Sequence, residues 1–148
     1  MTDKVVLLVE DSARDEELTL RALRKNNITN PIMVARDGVE ALDYLFCTGK
    51  HAGRDVNELP TIVLLDLKLP KIDGLEVLRR IRANARTALL PVVLLTSSKA
   101  DPDRLAAYTS GANSFVRKPI AFADFSQAIG QLGLYWLILN EPPPGLEC

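Results

Sequence analysis

The stretch at residues 60–74 constrains the fold more than any other part of the chain. It begins with a continuous apolar run, residues 61–65, without the alternation of a half-exposed strand. Such a run indicates a parallel strand that is buried on both faces of a sheet. The run ends at Asp66, and Pro70 and Asp73 then introduce a turn. Because open α/β sheets bind ligands at the carboxyl ends of their strands, Asp66 is either a turn residue or part of a site.

Four further stretches have the length of a strand: residues 5–9 and 91–95, which are apolar, and the shorter 32–35 and 114–117. Helical patterns alternate with these runs, and Ser12, Asp37 and Asp101 are suited to cap their first turns. Asp15 is favourable near the amide dipoles of the first helix, and Gly111 predicts the end of the fourth. Five strands alternating with five helices predict a parallel sheet with right-handed crossovers. We therefore expect a doubly wound α/β domain.

The composition limits the class of protein. The chain has 148 residues and a net charge of -1, which predicts one domain and gives no electrostatic reason to bind nucleic acid or an anionic membrane. It has no apolar run near the roughly 18 residues of a membrane span, and its start lacks a signal-peptide layout, so we expect a cytoplasmic protein. Cys47 and Cys148 form neither a metal framework nor a disulfide scaffold. His51, the only histidine, is interpreted as a solvated loop residue.

The strand ends carry the residues that suggest chemistry. In a parallel sheet they converge at one edge, and here they are Glu10, Asp11, Asp66, Thr96 and Lys118. Three carboxylates in one crevice repel each other unless a cation joins them, and an all-oxygen site suits Mg²⁺. A lysine and a hydroxyl match the oxygens of a phosphoryl group. Together these groups predict phosphoryl transfer onto an aspartate.

Four separated segments then show a resemblance: V-E-D at 9–11, D-L-K-L-P-K-I-D-G at 66–74, L-T-S-S at 95–98 and F-V-R-K-P at 115–119. The chain resembles the receiver domains of two-component response regulators over residues 4 to about 135. The resemblance implies a five-stranded flavodoxin-like sheet with strand order 2-1-3-4-5. It also implies a phosphoacceptor that takes its phosphoryl group from a sensor histidine kinase. Such a domain is no enzyme beyond Mg²⁺-dependent self-phosphorylation and slow autodephosphorylation.

The resemblance assigns the metal site and the acceptor. It implies that Asp66 is the phosphoacceptor and that Glu10 and Asp11 form the acidic pair. Direct Mg²⁺ ligands would be Asp11, Asp66 and the backbone carbonyl of Lys68, and Mn²⁺ would be able to substitute for Mg²⁺.

The resemblance also assigns the residues that read the phosphoryl group. Thr96 would be the switch hydroxyl, Phe115 the aromatic switch and Lys118 the phosphoryl-binding cation. The bond between Lys118 and Pro119 would be cis. Signalling would pass through the surface of helix 4, strand 5 and helix 5. Taken singly, Thr96 would be interpreted as a turn residue and Phe115 as a core residue.

Three features make the chain similar to the small single-domain regulators of cyanobacterial phytochrome kinases: a long loop at residues 48–59, an apolar C-terminal end, and no output domain. We expect the receiver at residues 1–139 and a short tail at 140–148. A phytochrome kinase is therefore the expected partner.

Three other functions remain open. A phosphatase of the haloacid dehalogenase type also uses a strand-end aspartate, but it needs an acid where this chain has Lys68. A flavodoxin-like cofactor binder needs Ser, Thr and Gly amides for a phosphate in its first loop, where Glu10 and Asp11 would repel one. An interaction module that never uses its acceptor stays possible on the sequence alone.

Apolar spacing predicts which helix faces lie on the sheet. In helix 2 these residues are Val39, Leu42, Leu45 and Phe46, and in helix 5 they are Phe122, Phe125, Ile129, Leu132, Trp136 and Leu139. The opposite face of helix 5 begins polar and turns apolar at Leu134 and Ile138. An exposed apolar face usually marks an interface, so we expect a homodimer through helix 5 and the C-terminus, unless the tail folds back over its own core.

Overall fold

A computed structural model describes residues 4–96, 101–118 and 122–144. It contains one five-stranded sheet, in which every neighbouring pair of strands is parallel. The strands are β1 (Val6–Val9), β2 (Ile32–Ala35), β3 (Ile62–Asp66), β4 (Val92–Thr96) and β5 (Ser114–Arg117). Their order is β2-β1-β3-β4-β5, which confirms the doubly wound, flavodoxin-like fold.

Five α-helices connect and cover these strands: α1 (Ala13–Lys25), α2 (Gly38–Phe46), α3 (Gly74–Ala83), α4 (Asp101–Thr109) and α5 (Phe122–Leu134). The predicted cap of α1 is confirmed, because the amide of Asp15 donates to Ser12 Oγ at 3.2 Å. The cap of α2 is confirmed in the same way, since the amide of Glu40 donates to Asp37 Oδ1 at 2.7 Å. α4 begins at Asp101, whose predicted capping bond lies outside the described residues. It ends just before Gly111, which has a φ of +103°.

Two apolar layers hold the helices on the sheet. Alternate side chains of β1 point to opposite faces, so Leu7 and Val9 pack with α2, α3 and α4, while Val6 and Leu8 pack with α1 and α5. Each Leu or Val side chain buried in this way contributes about 1.5–3 kcal/mol. The charged edge of the sheet is therefore built on a core that is apolar on both faces.

The apolar face of α2 differs from the prediction at one position. Val39 is 37% exposed, whereas Ala41 and Tyr44 are buried with Leu42 and Leu45. The buried stripe is centred between positions 41 and 45, which leaves Val39 at its border.

The loop at residues 48–59 is mostly exposed, but His51 and Arg54 attach it to α2. His51 contacts the ring of Tyr44 edge-on at 5.3 Å between centroids, and its Nε2 atom is buried. The prediction of a solvated histidine is therefore wrong, because Tyr44 gives it an aromatic surface to pack on. The guanidinium of Arg54 lies 3.7 Å from the centre of the Tyr44 ring and donates to the carbonyl of Glu58 at 2.6 Å.

The C-terminal helix changes its winding at Tyr135. A π-helical segment, Tyr135–Leu139, follows α5, and the amide of Asn140 donates to the Tyr135 carbonyl at 2.6 Å. This i→i+5 bond closes a wider turn than an α-helical bond, so later side chains fall out of the 3.6-residue pattern. Leu137 is buried and Leu139 is 61% exposed. The prediction that Leu139 faces the sheet is wrong for this reason.

The opposite face of the same helix agrees with the prediction. Leu134 is 51% and Ile138 is 70% exposed, and Tyr135 adds a further half-exposed ring. Over the residues that the structure describes, no helix is both long and apolar enough to span a membrane. Cys148 lies outside those residues.

Candidate functional site

The backbone of the sheet brings the predicted residues to one edge. Asp66 is the last residue of β3, which lies in the centre of the sheet between β1 and β4. Glu10 follows β1, and its amide donates to the Ala35 carbonyl at 2.9 Å. Thr96 ends β4 and accepts, through its carbonyl, the amide of Lys118 at 2.7 Å. Four of the five strand-end positions are thus fixed by sheet or sheet-like hydrogen bonds.

Three carboxylates meet at this edge. One oxygen each from Glu10, Asp11 and Asp66 lie within 4.8 Å of one another. Glu10 is buried, Asp66 is largely buried with 12% of its side chain exposed, and Asp11 is exposed. Oxygen ligands at this separation, with one side open to water, fit a hard divalent cation of the Mg²⁺ class, which keeps several of its waters. The residues present therefore fit the cation that the sequence predicts.

The electrostatics of Glu10 show why the site needs positive charge. Burial raises the pKa of Glu10 to about 7, and the neighbouring Asp66 carboxylate adds to this effect. The hydrogen bond from Lys118 acts in the opposite direction and keeps the pKa from rising further. A cation at the three carboxylates would favour the ionised form in the same way.

Lys118 is the cation that the fold itself supplies. Its Nζ atom lies 2.6 Å from Glu10 Oε1, 3.1 Å from Asp15 Oδ2 and 3.7 Å from Asp66 Oδ2, and 12% of its side chain is exposed. Burial by itself lowers the pKa of Lys118, but the bond to Glu10 and the charge of Asp66 outweigh burial and leave the pKa raised. Lys118 is therefore protonated at neutral pH.

Asp15 is the site residue that sequence reasoning missed. The sequence predicted only a favourable helix-end charge for Asp15, yet its carboxylate accepts a hydrogen bond from Lys118. A signal was available in the sequence. α1 begins at the sheet edge that carries the site, so an acid in its first turn lies within reach of a lysine at the end of β5.

Thr96 and Phe115 lie on adjacent strands. Thr96 is buried, with 2% of its surface exposed, and Phe115 pairs with Leu94 in the sheet and packs partly buried against the core layer of α2, α3 and α4. The structure thus places Thr96 at the end of the strand next to the one that ends at Asp66, and Phe115 on the neighbouring edge strand, packed on the core.

The loop after Asp66 turns sharply to expose Lys68. The amide of Gly74 donates to the Leu67 carbonyl at 2.9 Å, and a Cβ atom at Gly74 would lie 2.2 Å from the Asp66 carbonyl oxygen. Only glycine permits this approach. Lys71 has a φ of +67° and pairs with Asp37 at 3.3 Å, which ties the loop to the start of α2. Ser97, Ser98 and the predicted cis bond between Lys118 and Pro119 lie outside the described residues.

A family model described as the response regulator receiver domain matches residues 6–130. The chain belongs to the response regulator receiver family. This assignment agrees with the sheet order and with the acidic residues at the ends of β1 and β3.

Three relatives illustrate the range of the family near this chain. The probable methanogenesis regulatory protein FilR2 of Methanothrix harundinacea is 42% identical over 139 residues, 94% of this chain and 87% of FilR2. Response regulator Rcp1 of Synechocystis is 35% identical over 134 residues, 90% of this chain and 89% of Rcp1. The crystal structure of Mn²⁺-bound Rcp1 covers 95% of this chain and 99% of its own, with a TM-score of 0.85 and 34% identity.

The third relative is the phosphorylated cyanobacterial phytochrome response regulator RcpA. Its crystal structure has a TM-score of 0.87 and 32% identity, and it covers 96% of this chain and 99% of its own. The likeness extends over almost the whole length of both chains, so it includes the region after β5 as well as the sheet.

Proposed function

We propose that this receiver accepts a phosphoryl group on Asp66 from the phosphohistidine of a sensor histidine kinase. The observation that carries the proposal is the meeting of Asp66 with two further carboxylates and the Lys118 ammonium at the carboxyl edge of the sheet. Asp66 ends the central strand, and 12% of its side chain is exposed, so a donor can approach its carboxylate from the surface.

The transfer itself needs no other covalent partner. A carboxylate oxygen of Asp66 forms the new P–O bond as the P–N bond of the phosphohistidine breaks, and the imidazole nitrogen keeps the electron pair. Lys118 stabilises the charge on the transferred group, as a positioned ammonium does in other phosphoryl transfers. Mg²⁺ held by Asp11, Asp66 and the Lys68 carbonyl, with Glu10 beside it in the acidic site, would neutralise further charge at the same oxygens.

We assign the metal to Mg²⁺ and regard Mn²⁺ as a substitute. Both ions favour oxygen ligands and octahedral geometry, which two direct carboxylate ligands and a carbonyl leave room to complete with water. The Mn²⁺-bound form of Rcp1 supports the substitution, since this chain resembles that structure over its full length.

Phosphorylation would then act as a switch. Once the group is attached, the Thr96 hydroxyl and the Lys118 ammonium gain bonds that exist only in the phosphorylated state, and such bonds bias a two-state equilibrium. Thr96 moving inward leaves space for Phe115 to change rotamer. The surface formed by α4, β5 and α5 changes as a result, and this surface is the one that would bind a partner protein.

The kinase is proposed to be a phytochrome. The resemblance to RcpA supports this partner, and the bacteriophytochrome response regulators RtBRR and AtBRR, which are 48% and 50% identical to this chain, support it further. Because the phosphoryl group of a histidine kinase comes from ATP, we expect the transfer to take place in the cytoplasm. Transfer from a purified phosphorylated phytochrome kinase should be fast, and transfer from an unrelated kinase should be at least tenfold slower. Equal rates would exclude this partner assignment.

We also propose a homodimer, with the receiver unit extending through residue 139. The exposed apolar residues at the C-terminal end of the helix are Leu134, Tyr135, Ile138 and Leu139. A two-fold contact through this patch would cover all four. Sedimentation of the wild type against the Leu134→Glu/Ile138→Glu variant tests it. We expect a dimer and a monomer respectively. If both proteins sediment as monomers at high concentration, with or without a phosphoryl analogue, the dimer does not form.

The haloacid dehalogenase alternative has no support in the site, because Lys68 is exposed where that chemistry needs an acid. The proposed function is tested by intact mass after incubation with acetyl phosphate, with and without Mg²⁺. We expect the mass of one phosphoryl group to be added only when Mg²⁺ is present. A protein that stays unlabelled in both conditions would instead be an interaction module that does not use its acceptor.

A further inference from the structure

The Lys118 ammonium is not centred on Asp66. Its Nζ atom makes hydrogen bonds of 2.6 Å to Glu10 and 3.1 Å to Asp15, while Asp66 Oδ2 lies 3.7 Å away, beyond hydrogen-bond distance. The described conformation therefore holds the lysine on the side of β1 and α1. Two of its three N–H donors are used by Glu10 and Asp15, so a phosphoryl group on Asp66 would have to share the lysine with both carboxylates.

Asp15 is held in place to make its contact. Its amide donates to Ser12 Oγ, which fixes it in the first turn of α1, and 36% of its side chain is exposed. The carboxylates that converge on the candidate metal site are those of Glu10, Asp11 and Asp66. Asp15 therefore binds the lysine from outside the metal-binding set.

Phosphorylation would affect the two carboxylates that bond Lys118, those of Glu10 and Asp15, in different ways. In the proposed function Glu10 stays beside the cation in both states, so its position changes little. Asp15 has no such role, and its negative charge would lie near the lysine that a phosphoryl dianion must attract. A contact that is stronger before phosphorylation than after it shifts the equilibrium toward the unphosphorylated state.

We propose that Asp15 is a positioning residue that holds Lys118 away from Asp66 and thereby weakens the binding of a phosphoryl group at the site. The proposal rests on the proposed function of Asp66 and Lys118. In this way one carboxylate in the first turn of α1 would make the phosphorylated state of the chain less stable.

The affinity for beryllofluoride, which mimics a phosphoryl group on a carboxylate, tests the proposal in the presence of Mg²⁺. Asp15→Asn should bind the analogue about threefold more tightly, as expected for a partly exposed charge pair. Asp15→Glu should restore wild-type affinity, because it restores the carboxylate. Glu17→Gln is the matched control. It removes the same charge from the same helix at an exposed position paired with Arg24, and it should leave the affinity unchanged.

A double-mutant cycle shows whether Asp15 acts through the lysine. In a Lys118→Met background, Asp15→Asn should leave the affinity for beryllofluoride unchanged. The same four proteins are compared by urea unfolding without metal, where Asp15 and Lys118 should show a favourable coupling. A residue that served only the helix terminus would change both readouts equally in the two backgrounds.

The outcomes separate this proposal from the proposed function. If the wild type does not bind beryllofluoride, the function assigned to Asp66 is wrong. If the wild type binds it and Asp15→Asn binds it equally or more weakly, Asp15 does not weaken phosphoryl binding. Zero coupling between Asp15 and Lys118 in the unfolding cycle also overturns the proposal. If Glu17→Gln raises the affinity for beryllofluoride as much as Asp15→Asn does, the net charge of the helix is responsible, and not the contact with Lys118.

Discussion

Charged side chains turn inward at the carboxyl edge of the sheet, whereas apolar side chains turn outward at the amino edge, where the C-terminal helix ends. At the first edge Glu10 is buried, and the Lys118 ammonium lies 2.6 Å from it. At the second edge Lys4 and Trp136 line a small pocket at the amino ends of β3 and β4, while Ile138 and Leu139 extend into solvent. Both arrangements are costly unless something compensates for them.

The difference between the two edges lies in where the compensation comes from. The buried carboxylate is balanced within the chain by a lysine, and the remaining charge calls for a small cation. The exposed apolar residues are balanced by nothing among the described residues, and a second protein surface would cover them. The carboxyl edge is therefore suited to bind a small charged group, and the amino edge is suited to bind a protein.

The largest expected effect concerns the acceptor at the carboxyl edge. Asp66→Asn should abolish Mg²⁺-dependent phosphorylation by acetyl phosphate, because the amide cannot act as the nucleophile, and it should leave the fold intact. Intact mass measures the phosphorylation and circular dichroism the fold. Normal labelling of this variant would show that another residue is the acceptor.

Removing the lysine should separate phosphoryl binding from metal binding. Lys118→Ala should weaken beryllofluoride binding by about tenfold to a hundredfold, the range for a lost charge-assisted hydrogen bond. Mg²⁺ affinity should change far less than in Asp11→Ala, because Asp11 is a proposed ligand and Lys118 is not. Calorimetric Mg²⁺ titration of the two variants makes the comparison. Equal losses in both would contradict this division of roles.

The raised pKa of Glu10 predicts a pH dependence of metal binding. Below about pH 7 the metal-free site holds a proton on Glu10, and a cation has to displace it. Mg²⁺ affinity should therefore rise about tenfold per pH unit up to pH 7 and level off above it. In the metal-free protein the same shift favours folding at low pH, and this contribution is lost as the pH rises through 7.

Titration of Mg²⁺ binding from pH 5.5 to 8, with Glu10→Gln as the control, measures the effect. The control should lose most of the pH dependence, since glutamine does not titrate. A wild-type profile that is flat across this range would show that Glu10 is ionised throughout.

The two edges also differ in how well the sequence predicts them. The strand-end residues were predictable, because parallel strands carry their carboxyl ends to one edge whatever the details of packing. The end of the fifth helix was not, because a 3.6-residue wheel assumes uniform winding. The π-helical segment moves Leu137 inward and Leu139 outward. Asp15 was missed for a related reason, since its favourable position near the amide dipoles of α1 already explained an acid there.

The last prediction concerns stability rather than binding, and it tests that change of winding directly. Leu137→Ala should lower the free energy of unfolding by about 2–4 kcal/mol, because Leu137 is 6% exposed and packs with the core layer of α1 and α5. Leu139→Ala should change it by less than about 0.5 kcal/mol, because Leu139 is 61% exposed. The two substitutions remove the same atoms two residues apart, so each is the control for the other. Urea unfolding at several protein concentrations separates the monomer from any dimer that covers Leu139. A continuous α-helix would reverse the order of the two losses in unfolding free energy, and that reversal would show that Leu139 faces the sheet.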